Sequence, residues 1–177
     1  MSTINYDFKN HGNRDENFQT TPYYFAYGSN LHIMQMHDRC KNANAISKAT
    51  LQDWRLVFRG VADVESHVGS SVEGAIYEIT PSDEDRLDMY EGYPNLYTKE
   101  FATVDIDGEM ADVMFYTMTS AYDGVRPPSV TYYETILGGY HHWDLDNKSL
   151  TNALLESYKT NNGRVHKPLA WKRKKYV

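Results

Sequence analysis

The sequence predicts an α+β fold in which helices pack around a mixed, curled β-sheet. Strand-like segments predominate early in the chain, and four segments with helical periodicity lie between and after them. This order is not the regular alternation of strand and helix that a doubly wound parallel sheet shows. A chain of 177 residues is long enough for one compact domain that buries most of its unfolded surface.

The predicted strands combine aromatic and β-branched residues with an alternation of apolar and polar side chains. Asp107 and Gly108 stand between two of these segments, and this pair is a strong signal for a tight hairpin turn. The predicted strands are residues 23–27, 45–51, 54–58, 72–79, 97–106 and 111–118.

Helical periodicity predicts helices over residues 31–38, 81–91, 129–142 and 149–159. The second helix has the clearest boundaries. Thr80 suits the N-cap and Pro81 suits the first helical position, with Asp83 three residues after the cap. Gly92 provides the stop at the other end.

The first candidate site is the segment 24–31, YFAYGSNL, in which a strand-like run ends abruptly at Gly28. A strand that enters a helix through small residues leaves several backbone N–H groups unpaired, and such donors bind carboxylates or phosphates. Gly28 can adopt a positive φ, and Ser29 or Asn30 can cap the helix that follows. The alternative interpretation is a plain strand–helix turn.

Glu91 is the second candidate, because it falls in the last turn of the predicted helix 81–91. The negative end of a helix disfavours an ionised carboxylate and raises its pKa toward the range that a general base needs. An acid at this position is a local misfit, and misfits of this kind occur at functional sites. The alternative is a solvated surface glutamate.

Together the segments 24–31 and 87–97, LDMYEGYPNLY, resemble motifs of the γ-glutamylcyclotransferase-like proteins. This family includes the plant AIG2-like proteins and the butirosin-maturation cyclotransferase. Tyr116 and the segments 127–132 and 136–139 are also similar to the family's C-terminal part. The matches follow the family's order over about residues 22–158. The resemblance implies a small barrel-like sheet with the site at its mouth.

The family reaction implied by this resemblance is a cyclising acyl transfer. The α-amine of a γ-glutamyl group attacks its own γ-carbonyl and releases 5-oxoproline and a free amine. One carboxylate with a raised pKa can accept the ammonium proton and return a proton to the leaving nitrogen. A clamp on the α-carboxylate would supply most of the acceleration by positioning the amine. The reaction needs no metal, nucleophilic serine or redox cofactor.

The predicted site follows from these requirements. Glu91 is the catalytic base and acid, and backbone donors near the glycine turn form the clamp. The family resemblance also implies that Tyr97 and Tyr132 lie near the substrate and line the pocket, where a phenol could hydrogen-bond Glu91 or the substrate carboxylate. Of the whole set, Tyr27 is the residue most expected to face the core. The predicted substrate-binding residues are Tyr27, Gly28, Ser29, Asn30, Leu31, Tyr97 and Tyr132.

The sequence does not determine the identity of the leaving amine. An amino acid, a polyamine, a lysine side chain and an antibiotic fragment all agree with it. The turn-rich segments 93–97 and 121–128 are the expected rim, and Asp123 favours a cationic or neutral amine. A competing hypothesis is a small-acid-binding or regulatory protein that keeps the fold without turnover. Glu91 beside the clamp argues against it, because a pure binder needs no carboxylate there.

The chain ends differ from the domain predicted over residues 21–160. Residues 1–20 are polar and predict a mobile leader, whereas residues 161–177 form a basic tail. A solvated tail is favoured, with a contact to nucleic acid or to an acidic partner as the alternative. The net charge of −6 argues against general nucleic-acid binding, and no segment has the length of a transmembrane helix. The single cysteine, Cys40, fits the reducing cytoplasm.

Overall fold

The computed structural model describes residues 22–161. The predicted leader over residues 1–20 and, after Asn161, the predicted basic tail lie outside this range. The chain order is β1 (Tyr23–Ala26), a 3-10 turn (Ser29–Leu31), α1 (Ile33–Arg39), β2 (Asn44–Phe58), β3 (Ala62–Glu78), α2 (Pro81–Glu91), β4 (Tyr97–Ile106), β5 (Glu109–Met118), α3 (Val130–His142) and α4 (Lys148–Thr160).

The five strands form one mixed sheet in the order β2-β3-β1-β5-β4. β1 lies at its centre, antiparallel to β3 and parallel to β5, and the pairs β2–β3 and β4–β5 are antiparallel hairpins. The two edge strands, β2 and β4, approach one another, so the sheet curls toward a barrel. The predicted α+β class with a mixed, curled sheet is confirmed.

The first hairpin differs from the prediction in its length. β2 is continuous across both predicted strands, with a register shift between Gln52 and Trp54 where Asp53 has a φ of 61°. β3 begins at Ala62, ten residues before the predicted start at residue 72. The added part of β3 was missed because residues 66–71 are largely exposed and lack the apolar alternation of a half-buried strand.

The helix that carries Glu91 has the predicted bounds. Thr80 and Asp83 form a reciprocal capping box at its start, with Pro81 in the first position. Gly92 ends it in the left-handed conformation, with a φ of 69°. None of the helices in residues 22–161 is long and apolar enough to cross a membrane.

Candidate active site

The glycine turn leads from the central strand into α1 through a single 3-10 turn. The Leu31 N–H donates to the Gly28 carbonyl at 3.0 Å, and the His32 N–H donates to the Ser29 carbonyl at 3.2 Å. Gly28 has a φ of −108°, so the expected positive φ is wrong. The helix cap expected from Ser29 or Asn30 is also wrong, because His32 occupies the N-cap of α1 and no side chain caps it.

Three consecutive N–H groups of this turn remain available to a ligand. Within residues 22–161, the backbone N–H groups of Gly28, Ser29 and Asn30 have no hydrogen-bond acceptor. Consecutive unpaired N–H groups are the donors that bind anions in backbone nests. The Leu31 N–H, which the predicted set also included, instead closes the 3-10 turn, and the Leu31 side chain is fully buried.

Glu91 lies beside this turn, at the end of α2. Asn30 Nδ2 donates to Glu91 Oε1 at 3.1 Å, which links the two motifs across 61 positions of the sequence. Burial of the carboxyl raises the pKa of Glu91 to about 7, while the charge of Arg39 and the Asn30 hydrogen bond act in the opposite direction. The direction of this pKa shift agrees with the expectation, but its main cause is burial rather than the helix terminus.

Two of the predicted tyrosines meet the backbone of Ala62, at the start of β3. Tyr97 Oη donates to the Ala62 carbonyl at 2.8 Å, and Tyr132 Oη accepts from the Ala62 N–H at 3.2 Å. A methyl group on Gly28 would lie 3.6 Å from Tyr132 Oη and 3.4 Å from Ala62 Cβ. Gly28 therefore faces Ala62 and the Tyr132 hydroxyl, and Tyr97 bonds to the Ala62 backbone rather than to Glu91.

Tyr27 takes the core-facing position expected of it. Its side chain is buried, and its hydroxyl donates to the Tyr116 carbonyl at 2.6 Å. Burial raises the pKa of Tyr27 well above its ordinary value, and the nearby Asp63 and Glu91 raise it further. The Tyr27 phenol therefore stays protonated, and Tyr27 adds no charge to the site.

The third sequence block holds the glycine turn from the outside. α3 packs directly on the turn, because a methyl group on Gly139 would come within 2.5 Å of Leu31 Cβ and 2.8 Å of the Leu31 carbonyl carbon. Trp143 Nε1 then donates to the Leu31 carbonyl at 3.1 Å. Only glycine permits this approach, so Gly139 supports the glycine turn through close packing.

Comparison with known proteins agrees with this arrangement. The family model described as gamma-glutamyl cyclotransferase, AIG2-like, matches residues 24–143, which include all three motifs. The gamma-glutamylcyclotransferase of Bos taurus is 33% identical over 130 residues, which cover 66% of this chain and 68% of the bovine protein. The chain belongs to this family.

Further relatives of this cyclotransferase family are similar in sequence and in fold. The human gamma-glutamylcyclotransferase is 31% identical over 130 residues, covering 66% of this chain and 68% of the human protein. A solved gamma-glutamyl cyclotransferase structure superposes with a TM-score of 0.65 at 25% identity. That match covers 84% of this chain and 92% of the solved chain.

Sequence reasoning missed two residues that contact the candidate site. Arg39 ends α1 and donates to the side-chain oxygens of Asn30 and Ser29. Tyr24, inside the first motif, was assigned only to a strand, but its hydroxyl accepts from Asn30 Nδ2 at 2.7 Å. A basic residue one helix beyond the turn was the available signal for Arg39, yet nothing local shows that it folds back onto the turn.

A depression of the surface lies away from Glu91. A groove of about 760 Å³ runs between the β2–β3 hairpin and α4, and none of the predicted site residues lines it. Its walls carry both acids, such as Glu73 and Glu156, and bases, such as Lys148 and Lys159. Among residues 22–161, no three His, Cys, Asp or Glu side chains lie close enough together to hold a metal ion.

Proposed function

We propose that this chain is a γ-glutamyl cyclotransferase that releases 5-oxoproline from a γ-glutamyl amino acid, peptide or amine. The observation that carries the proposal is the half-buried Glu91, with a pKa raised to about 7, held by Asn30 next to the unpaired N–H groups. A carboxylate with this pKa is half ionised near neutrality, which suits a group that must both accept and return a proton.

The glycine turn binds the α-carboxylate of the substrate in this proposal. The N–H groups of Gly28, Ser29 and Asn30 supply up to three hydrogen bonds without a competing protein acceptor among residues 22–161. Because Asn30 also holds Glu91, the clamp and the base share one residue. An anchored α-carboxylate keeps the α-amine near the γ-carbonyl carbon, and such positioning is worth several kcal/mol in intramolecular reactions.

The proton path then runs through Glu91 alone. Its carboxylate accepts a proton from the α-ammonium group, and the free amine attacks the γ-carbonyl carbon to form the new ring bond. The bond from this carbon to the leaving nitrogen breaks as Glu91 returns this proton to that nitrogen. The attacking nitrogen still carries one proton more than the lactam keeps, and Glu91 takes this second proton and passes it to the released amine. The products are 5-oxoproline and the amine as its ammonium ion, and Glu91 ends the cycle as the carboxylate from which it started.

The surrounding tyrosines support this assignment by staying neutral. Burial raises the pKa of Tyr24, Tyr27, Tyr97 and Tyr132 above the ordinary value, and the charge of Glu91 contributes in each case. Phenols that remain protonated leave Glu91 as the group that exchanges protons near pH 7. Tyr97 and Tyr132, which meet at Ala62 opposite Gly28, line the pocket for the glutamyl chain.

We assign the leaving amine to the rim formed by residues 93–97 and 121–128. The second segment is anchored by backbone bonds between Gly60 and Arg126 at 2.9 Å and between Arg126 and Phe58 at 2.8 Å. Arg59 Nη1 also donates to the Asp123 carbonyl at 2.6 Å. These contacts hold the rim segment close to Ala62, and therefore close to the two pocket tyrosines.

The buried, single Cys40 supports a cytoplasmic location.

Release of 5-oxoproline from a panel of γ-glutamyl amino acids, peptides and amines tests the proposal. Each substrate has a matched control, the glutaryl amide that lacks the α-amine, because this compound fits the pocket but has no nucleophile. We expect release from at least one γ-glutamyl compound and none from its glutaryl analogue. No release from any compound by folded protein would contradict turnover, and 5-oxoproline binding without release would favour the binding-protein alternative.

A further inference from the structure

Arg39 joins three parts of the site through one guanidinium group. Nη1 donates to the side-chain oxygen of Asn30 and, at 3.3 Å, to Ser29 Oγ. Nη2 donates to Gln35 Oε1 at 2.8 Å and to Tyr90 Oη at 2.6 Å. The guanidinium carbon also lies 3.7 Å from the centre of the Tyr90 ring, which is a cation–π contact. Arg39 thus connects the glycine turn with the residue that precedes Glu91.

The contact with Asn30 determines which way the Asn30 amide faces. Asn30 is buried, and its Nδ2 donates to Tyr24 Oη at 2.7 Å and to Glu91 Oε1 at 3.1 Å. Its oxygen accepts from Arg39. A reversed amide would set an oxygen against the Glu91 carboxylate and an NH₂ group against the guanidinium, and both contacts would be repulsive. Arg39 therefore selects the orientation that supplies a donor to Glu91.

We propose that Arg39 is a positioning residue that, by holding the Asn30 oxygen, keeps the Asn30 amide donating to the Glu91 carboxylate. Arg39 acts on the reaction through Asn30 and need not touch the substrate. The catalytic meaning of this inference rests on the proposed cyclotransferase function. The structural claim, that Arg39 orients Asn30 toward Glu91, does not depend on it.

Electrostatics around Glu91 agree with this role. The Arg39 charge and the Asn30 hydrogen bond both lower the pKa of Glu91, against the larger effect of burial. His32 faces Arg39 from the glycine turn, and burial together with His142 and Arg39 lowers its pKa, so it adds no charge near pH 7. Seven neighbouring groups on which the Glu91 charge acts have raised pKa values and stay neutral: Tyr24, Tyr27, Cys40, Tyr90, Tyr97, Tyr116 and Tyr132.

A lysine at position 39 would keep the charge but not the geometry. A guanidinium presents several donors in one plane, whereas an ammonium is a point charge that cannot reach Asn30, Gln35 and Tyr90 together in this arrangement. Arg39→Lys therefore tests orientation, and Arg39→Met removes orientation and charge at once. Arg55→Lys is the matched control, because Arg55 pairs with Glu65 at the surface.

The experiment measures the pKa of Glu91 directly, by the carboxyl ¹³C shift of Glu91 in labelled protein, and in parallel the pH profile of kcat/KM. The Glu91→Gln variant identifies the resonance. We expect Arg39→Met to raise the pKa of Glu91 by about half a unit or more, with the acidic limb of kcat/KM moving to higher pH by the same amount. Arg39→Lys should give a smaller rise and Arg55→Lys none.

Dependence on Asn30 is tested by combining variants. If Arg39 acts through Asn30, then Arg39→Lys shifts the pKa of Glu91 in the native background but adds nothing in an Asn30→Ala background. Additive shifts in the double variant, or a Glu91 pKa unchanged by Arg39→Met, would overturn the proposal. Should Arg39→Met fail to fold, Arg39→Lys and its Asn30→Ala combination still decide the question. A Glu91 resonance that shifts as expected in protein without turnover would support this inference while refuting the proposed function.

Discussion

Two acids of this protein, the buried Asp63 and the half-buried Glu91, lie near arginines but differ in how they are paired. Asp63 Oδ2 lies 2.8 Å from Arg59 Nε, and its other oxygen accepts the N–H groups of Val64 at 2.9 Å and Met118 at 2.8 Å. Glu91 makes no direct ion pair among residues 22–161, and it accepts one hydrogen bond from Asn30. The guanidinium of Arg39 is linked to Glu91 by hydrogen bonds through that amide, and its charge also acts on the carboxyl.

Because of this difference, Asp63 supports the fold, whereas Glu91 is free to react. Burial raises the pKa of both carboxyls, but at Asp63 the direct arginine contact and two N–H donors oppose the rise. The oxygens of Asp63 are occupied by protein donors, so no proton acceptor is left for a substrate. Glu91 retains acceptor capacity and a pKa of about 7. Partial pairing, rather than burial alone, marks the functional acid.

Replacing each acid by its amide tests this comparison most sharply. Glu91→Gln has the largest expected effect, which is on turnover. Turnover should fall by at least about a hundredfold, the lower end of what a positioned acid–base group contributes. Substrate binding should change little, because an amide of the same shape keeps the pocket intact. Steady-state release of 5-oxoproline together with calorimetric binding separates the two effects. A Gln variant with near-normal turnover would remove Glu91 from the mechanism.

Asp63→Asn should act on stability instead. The amide nitrogen would oppose the buried Arg59 guanidinium, and breaking a buried ion pair costs about 3 kcal/mol. Denaturant unfolding measures this loss of free energy. The activity of the fraction that remains folded should stay within a few-fold of the native value. Equal stability of Asp63→Asn and the native protein would contradict the structural role assigned to Asp63.

The pH dependence of the native protein is expected to follow Glu91. The base must be ionised, so kcat/KM should rise with pH through a midpoint near 7, the raised pKa of this carboxyl. Because the folded-state pKa exceeds the ordinary value of 4.5, the protonated acid favours the fold. This stabilisation is complete below pH 4.5 and is lost as the pH rises through 7.

Comparison with Glu91→Gln isolates the titration of this one group. We measure the free energy of unfolding from pH 4 to 8. For Glu91→Gln it should rise relative to the native protein between pH 4.5 and 7. A stability difference that is flat with pH would mean that Glu91 has an ordinary pKa.

Gly28→Ala should weaken substrate binding with little effect on stability. The φ of −108° imposes no strain on alanine, and the added methyl would lie in van der Waals contact with Ala62 and the Tyr132 hydroxyl. We expect KM to rise several-fold and the free energy of unfolding to change by less than about 1 kcal/mol. Gly139→Ala is the contrasting variant, because its methyl would collide with Leu31 and destabilise the fold. A large stability loss in Gly28→Ala would contradict this account.

Ser29→Ala is expected to have the smallest effect. The proposed clamp uses the backbone N–H of Ser29, which survives loss of the side chain. The hydroxyl accepts from Arg39 at 3.3 Å and contacts Tyr90 Oη at 3.4 Å, both long hydrogen bonds. A reduction of kcat/KM by less than about tenfold, near the value of one modest hydrogen bond, should be seen in steady-state assays. Loss of activity as large as that of Glu91→Gln would give the hydroxyl a direct role.

Local signals in the sequence determined the elements that carry the site. Thr80, Pro81 and Gly92 define α2, and with it the position of Glu91, because helix caps depend on neighbouring residues. The turn at Asp107-Gly108 forms as predicted, with φ values of 55° and 94°, because few other residues tolerate that conformation. The family motifs likewise predicted the pairing of the glycine turn with Glu91.

Tertiary structure alone decided the chemistry around these elements. Burial, which depends on the whole fold, is the main cause of the raised pKa of Glu91, and the helix terminus is not. Arg39 meets Tyr90 across 51 positions of the sequence, a distance at which no local pattern carries information. Gly28 has a negative φ, and the atoms nearest to a methyl group added there belong to Ala62 of β3 and Tyr132 of α3. Local rules describe a residue's own backbone, whereas these properties belong to groups that only the folded chain brings together.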